Sequence, residues 1–203
     1  TSDFGGTPHV DGYQPNEGTT NSFMEANWHV DNAISDSHLY LDELAANHHI
    51  TLVKNVSIRS GDTLLVQFRI SRNHYVAHNT FGQVGYGPRG GPPSGGAFYV
   101  WDGSINNVSR NNIFTNCTVS ASSLYALGSG GSIVNDHDLS WPIGNAAVKA
   151  DPKFVNYAAN NFTIQSTSPA IDAAGALTSV TSQSGSGTTF TVGESCWFYD
   201  GFG

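Results

Sequence analysis

Good helix formers are scarce in this chain. Lys, Arg, Glu and Met supply only 13 of its 203 residues, which argues against a helical bundle or a coiled coil. Charged residues are 12% of the sequence, roughly half the ~25% of an average soluble domain. Only 8 Lys and Arg stand against 16 Asp and Glu, a net charge of −8. That mean field repels a polyphosphate, so nucleic acid is not an expected partner. No apolar run approaches the ~18 residues of a membrane span; Leu64-Leu-Val66 and Phe98-Tyr-Val-Trp101 are typical. Two cysteines, Cys117 and Cys196, allow one disulfide or none and fit no metal-ligand spacing. There is no phosphate-cradling loop, nucleophile elbow or nucleophilic-cysteine motif. The chain also lacks an initiating Met and a leader and stops in mid-pattern, which reads as a segment of a longer protein.

What is abundant points to short strands and polar turns. Gly, Ser and Asn together supply 64 residues, and aromatics at 11% provide enough apolar surface to offset the entropy of ordering. Four segments run from a short apolar stretch to an Asn: Phe23-Met-Glu-Ala-Asn27, Thr51-Leu-Val-Lys-Asn55, Tyr75-Val-Ala-His-Asn79 and Val108-Ser-Arg-Asn-Asn112. The asparagines are 28, 24 and 33 apart, and the longest interval holds the loop-like Pro88-Arg-Gly-Gly-Pro-Pro-Ser-Gly-Gly96. A second strand-like set lies between them: Leu39-Tyr-Leu41, Leu64-Leu-Val66 with Phe68, and Phe98-Tyr-Val-Trp101, with His9-Val-Asp-Gly-Tyr-Gln14 one turn earlier. A repeat of about 25 residues built this way predicts an all-β solenoid, a parallel β-coil with a stacked Asn column. Asn suits such a corner because it tolerates left-handed angles. The expected core includes Leu52, Val66, Val76 and Ile113. Helix is expected only in short pieces, Asp42-Glu-Leu-Ala-Ala46 being the best candidate.

The Asn rungs, with Ala150-Asp-Pro-Lys-Phe154 and Ser168-Pro-Ala-Ile-Asp-Ala173, resemble the C-terminal half of a right-handed parallel β-helix of the pectate-lyase-like superfamily. There an "ADPxF…SPAIDAG" stretch commonly ends the helix; here Ala174 is inserted before Gly175. The resemblance implies a β-helix over residues 1–175, closed near Ser168-Pro169. The β-prone, Asn-rung-free residues 176–203 read as the start of a further small β-module. The resemblance does not specify the reaction, since the superfamily holds lyases, hydrolases, epimerases, phage tailspikes and non-catalytic surface proteins. Function has to come from the site.

Charge segregates along the chain. Seven acids and no Lys or Arg lie between His9 and Glu43; Lys54, Arg59, Arg69 and Arg72 with His48, His49, His74 and His78 lie between 48 and 78, beside the single acid Asp62. A basic patch of this kind suits a uronic-acid polysaccharide. β-Elimination needs the substrate carboxylate neutralised and a base to take the C5 proton. Lys54, Arg69, Arg72 and His74 are the candidate catalytic residues, with His78 beside them; the alternative for each cation is a solvated surface residue, and for His78 a place in the corner stack. The acidic block offers a hydrolytic pair, Asp11 with Asp42 or Glu43, on neighbouring turns. Against it, the acid motifs of polygalacturonase-type hydrolases are absent. His9-Val-Asp11-Gly-Tyr-Gln14 is similar to the "H-x-D-G-(I/Y)-Q" strand of such β-helices, so His9, Asp11 and Gln14, with Asp42, are candidate sugar contacts. Trp101, Tyr99 and Trp28 are candidates for stacking on sugar rings, the alternative being packing inside the coil.

No cofactor or resident metal is expected. Asp136-His-Asp138, or Asp31 with Asp36, offers oxygens to Ca²⁺, an ion that lyases of the superfamily often use, but no Ca²⁺ loop spacing is present. Asn55, Asn107, Asn116 and Asn161 begin glycosylation-type triplets. With the low charge they suggest an extracellular or cell-surface protein. Three classes of function follow: a polysaccharide lyase or hydrolase, a non-catalytic glycan-binding module, and a structural solenoid that self-associates through its open ends.

Overall fold

The computed structural model describes residues 20–32, 39–41, 49–60, 66–83, 97–117, 124–142, 146–182, 188–195 and 197–198. Within them the chain is all-β apart from one 3-10 turn, and the strands recur with a stride of three. Sheet I consists of β1 (Phe23–Glu25), β4 (Thr51–Val53), β7 (Tyr75–Ala77), β10 (Asn107–Arg110) and β13 (Ile133–Asp136). Sheet II consists of β2 (Trp28–Asn32), β5 (Val56–Ser60), β8 (Thr80–Gly82), β11 (Ile113–Thr115), β14 (Leu139–Trp141) and β15 (Val148–Lys149). Sheet III consists of β3 (Leu39–Leu41), β6 (Val66–Arg69), β9 (Phe98–Trp101) and β12 (Tyr125–Leu127). All pairings in these three sheets are parallel and in register, so from β1 to β12 each turn of the chain adds one strand to each sheet, as in a β-solenoid, and β13 to β15 extend sheets I and II alone. None of the described helices is long and apolar enough to cross a membrane.

The corner from sheet I to sheet II explains why the Asn segments recur. It always takes two residues, and the second is Asn27, Asn55, Asn79, Asn112 or Asp138. The left-handed angle falls on the residue before it (Ala26, Lys54, His78, Asn111 and His137, φ 53 to 60°) and not on the Asn. The backbone tolerance of Asn is therefore not the reason for its recurrence. Hydrogen bonding is: Asn55 Oδ1 accepts from Asn27 N and Nδ2, both at 2.9 Å. The same double acceptance passes from Asn55 to Asn79, at 2.8 and 3.0 Å, and from Asn79 to Asn112, at 2.9 and 2.9 Å. It ends on Asp138, whose Oδ1 accepts from Asn112 N at 2.7 Å and Nδ2 at 3.0 Å.

The interior is aromatic. Phe68, Phe98 and Phe114 have no exposed surface, and Phe81 stacks on Phe114 with ring centroids 5.3 Å apart. Leu52, Val66 and Val76 lie in this core as expected. Ile113 does not; it is half-buried on the outer side. Asn112 points inward to the ladder, so alternation turns Ile113 out and brings Phe114 in. Cys117 is a free, buried thiol whose Sγ lies 3.2 Å from Phe81 O. Its prospective partner, Cys196, lies outside the described residues, as does the whole of the proposed helix at 42–46.

Parallel pairing ends at β15, and the chain then folds back. Asp151 Oδ1 accepts from Lys153 N at 2.8 Å, and Ser168 Oγ donates to Pro152 O at 2.6 Å, so the two signature stretches are stitched together. Between them β16 (Phe154–Asn156), the 3-10 turn Tyr157–Ala159 and β17 (Asn161–Ile164) form an antiparallel hairpin. This hairpin lies over the outer face of sheet II: Phe162 meets Trp28 at 5.4 Å, and the Arg59 guanidinium donates to Asn160 Oδ1. Ala176, Leu177 and Trp197 reach sheet I, where Arg110 donates to the carbonyls of Ala176 and Leu177 and Tyr75 meets Trp197 edge-on. Val180 and Val192 form an antiparallel bridge.

Candidate functional site

With the C-terminal segment laid on sheets I and II, the outer face of sheet III carries the most distinctive side chains. Strand alternation builds it. In β9, Phe98 and Val100 point into the core, which turns Tyr99 and Trp101 outward; in β6, Val66 and Phe68 point in, and Gln67 and Arg69 out. The parallel register sets Gln67 beside Tyr99 and Arg69 beside Trp101. Tyr99 and Trp101 stack with centroids 5.0 Å apart and an interplanar angle of 24°. The Arg69 guanidinium lies over the Trp101 ring, 4.6 Å from its centroid, and Nε donates to Asp102 Oδ2 at 2.9 Å. On the next turn, a Cβ on Gly128 would stand 2.5 Å from Trp101 Cβ. Glycine there leaves the indole its place.

Arg72 adds a cation at the end of this face. It is exposed, on the connector that leads from β6 to β7, and bridges to Ile105 of the next turn. His49, also exposed, donates its backbone N–H to Arg72 O at 3.3 Å, so an imidazole-bearing residue adjoins the arginine. Such a surface presents a flat π pair with a guanidinium over it, and a second arginine on the connector that follows. It is equipped to take the C–H face of a ring by stacking and its oxygens by hydrogen bonding. The Asp102 contact offsets the Arg69 charge, which leaves shape and stacking as the larger part of the recognition.

The residues expected to act together are therefore distributed. Arg69, Arg72 and Trp101 share the sheet III end of the coil. His74 follows on the same connector but is wholly buried: its ring packs at a tilt against Phe68, with centroids 4.7 Å apart, and its Nδ1 accepts from Ile50 N at 3.3 Å. Lys54 stands at the other end of sheet I, on the sheet II corner, where Nζ meets Glu25 Oε1 at 2.6 Å. His78 is the next residue of that corner column; burial and, second, the Lys54 charge hold its pKa below the ordinary value. Trp28 lies on the outer face of sheet II against Phe162. His9, Asp11, Gln14, Asp42 and Glu43 lie outside the described residues, as does Asp36.

Asp136 and Asp138 do not share an ion in this arrangement. Asp136 pairs with Arg110 at 3.0 Å and His137 at 2.5 Å, whereas Asp138 turns inward to end the ladder. Its Oδ2 accepts from Ser109 Oγ at 2.7 Å and Tyr125 OH at 2.5 Å. Burial raises the Asp138 pKa, against the lowering effect of the Tyr125, Asn112 and Ser109 hydrogen bonds. Among the described residues no three His, Cys, Asp or Glu side chains converge to hold a metal. The ladder role of Asp138 had a sequence signal: it stands 26 residues after Asn112, within the range of 24 to 33 that separates the other rungs. Gly128 had none, because its partner is on another turn. Comparison with family models, with curated proteins and with solved structures finds no match to this chain.

Proposed function

We propose that this protein is an extracellular polysaccharide-binding β-helix, right-handed and pectate-lyase-like, that holds an acidic glycan on the outer face of sheet III. The stride-three parallel sheets, the Asn column and the stitched Asp151–Lys153 and Ser168 segment support the fold reading. Parallel crossover connections are right-handed in nearly all proteins, which supports the hand. The single observation that carries the function is the Tyr99–Trp101 pair with Arg69 laid over it. A pyranose ring has an apolar C–H face and a rim of oxygens, and that pair with its arginine matches both. Arg72 favours a glycan that bears carboxylates. Low charge and a cysteine whose thiol is buried suit an exterior location.

Cleavage by β-elimination is the second reading, favoured by His49 beside Arg72. The imidazole would take the C5 proton while arginine neutralises the carboxylate; the C4–C5 double bond forms as the C4–O4 bond breaks, and the leaving oxygen takes a proton from solvent. Both readings are tested on pectate, alginate and neutral xylan. Binding should favour the acidic glycans and weaken with salt, because exposed charges are screened beyond ~8 Å at physiological ionic strength. Trp101→Ala should lower affinity about tenfold, a loss of about 1.4 kcal/mol. Unsaturated uronate absorbance in the ultraviolet, lost in His49→Ala, establishes the lyase. Reducing ends without absorbance move the chemistry to Asp11 and Asp42. Binding that is unchanged in Trp101→Ala removes the sheet III reading.

A further inference from the structure

A second concavity lies on the opposite side of the molecule, between sheet II and the returning C-terminal segment. It has a volume of about 190 Å³. Its floor is one register row of sheet II, where Thr80, Ile113, Leu139 and Val148 stand side by side on successive strands. Its roof is aliphatic and small: Ile164 from β17, then Ala170, Ala173 and Ala174. One rim is the left-handed corner column, with His78, Asn111 and His137 on three consecutive turns.

The rim is held in place. Asn111 clamps the backbone of Gly175, accepting from its N–H at 2.8 Å and donating to its O at 2.9 Å. A Cβ on Gly175 would meet His137 Nδ1 at 2.6 Å, so glycine is what lets the roof close onto that imidazole. Asp136 Oδ1 lies 2.5 Å from the same Nδ1 and orients the ring. The lowered pKa of His78 keeps it neutral at pH 7, able both to donate and to accept.

We infer that this cleft is a binding site for a single sugar unit, separate from the sheet III face. Drug-sized pockets run to about 300–1,000 Å³, and a volume of about 190 Å³ suits one ring and not a chain. An aliphatic floor and roof match the C–H faces of a pyranose. Two imidazoles and the Thr80 hydroxyl, all among its lining residues, match its hydroxyls. The inference does not rest on the glycan reading of sheet III, and either can fail alone.

The test is a titration of the intact protein with glucose, galacturonic acid and N-acetylglucosamine, followed through the His78 and His137 imidazole and Ile113 methyl NMR signals. Isovalerate, which has the apolar body without the hydroxyls, is the control. One of the sugars should give saturable shifts in the millimolar range. Ala173→Trp, which fills the cleft from its roof, should abolish them, and Trp101→Ala should leave them intact. His78→Ala should weaken binding about tenfold (about 1.4 kcal/mol) in a folded protein, because Ala26 already occupies the equivalent left-handed corner. No shift with any of the three sugars, shifts that survive Ala173→Trp, or a response to isovalerate alone would overturn the inference.

Discussion

The corner between sheets I and II and the outer face of sheet III obey different rules. At the corner every turn spends two residues, and its rungs from Asn55 to Asp138 are at most 7% exposed, each oxygen accepting twice. At sheet III the connections from sheet II vary from five residues after β5 to fifteen after β8, and the outward side chains remain partly open. One edge of the coil fixes the register of the strands. The other has no such obligation, and its outward positions are available for recognition. Stability and binding should accordingly separate by mutation.

Asn79→Ala should give the largest effect. It leaves Asn55 N without its acceptor, takes one of two acceptors from Asn55 Nδ2, which keeps Met24 O, and removes the amide donor from Leu52 O, all inside the coil. Each buried orphan costs about 1–3 kcal/mol, so a loss of about 3 kcal/mol or more is expected in urea denaturation. Asn27→Ala, at the half-buried first described rung, should lose distinctly less. Equal losses would break the contrast between interior and end.

Asp138→Asn sharpens the same edge through pH. The folded carboxyl binds its proton more tightly than the unfolded one, whose pKa is ordinary. Between those two values the folded chain holds the extra proton, so Asp138 contributes stability as pH falls through its folded pKa, and that contribution is lost as pH rises. In the Asn variant this acid-side gain should vanish, read as a flatter melting temperature between pH 4 and 7. An undiminished gain would assign it to another group.

The smallest effect belongs to Lys54→Ala. Lys54 and Glu25 expose 66% and 42% of their side chains, so their ion pair should contribute no more than about 0.5 kcal/mol. A loss of 2 kcal/mol or more by urea denaturation (about the scale of a buried hydrogen bond to a charged group) would mean that this corner side chain does more than face water.

Much of the winding was legible because the ladder has a sequence period. Apolar stretches ending at Asn27, Asn55, Asn79 and Asn112 identify sheet I and its corner directly, and Phe98-Tyr-Val-Trp101 identifies sheet III. Sheet II was not legible. Its strands β8 and β11 have three residues and follow the corner at once, so Thr80-Phe-Gly82 reads as the tail of a turn. Ile113 was misplaced for the same reason: the inward residue is set by the buried Asn before it, not by hydrophobicity. The assignment of a common site to Lys54, Arg69, Arg72 and His74 rested on closeness along the chain. In a coil, nearness in sequence places residues around the circumference, whereas partners such as Arg69 and Trp101 lie 32 positions apart on adjacent turns.

The amide column also has a direction. From Asn27 to Asn112 one N–H of each amide points toward the next rung, and every accepting oxygen faces the rung before it, so the peptide-like dipoles add instead of cancelling. A carboxylate at the receiving end is the one side chain with two oxygens and no hydrogen to misdirect, and it meets the positive pole of that sum. The column is thus a sentence with a full stop. An additional turn with its own Asn could be copied between Asn55 and Asn79 and every bond would re-form one step along. The same turn placed beyond Asp138 would meet an acceptor where it needs a donor. Growth of such a coil by duplication is permitted in its middle and forbidden at this end.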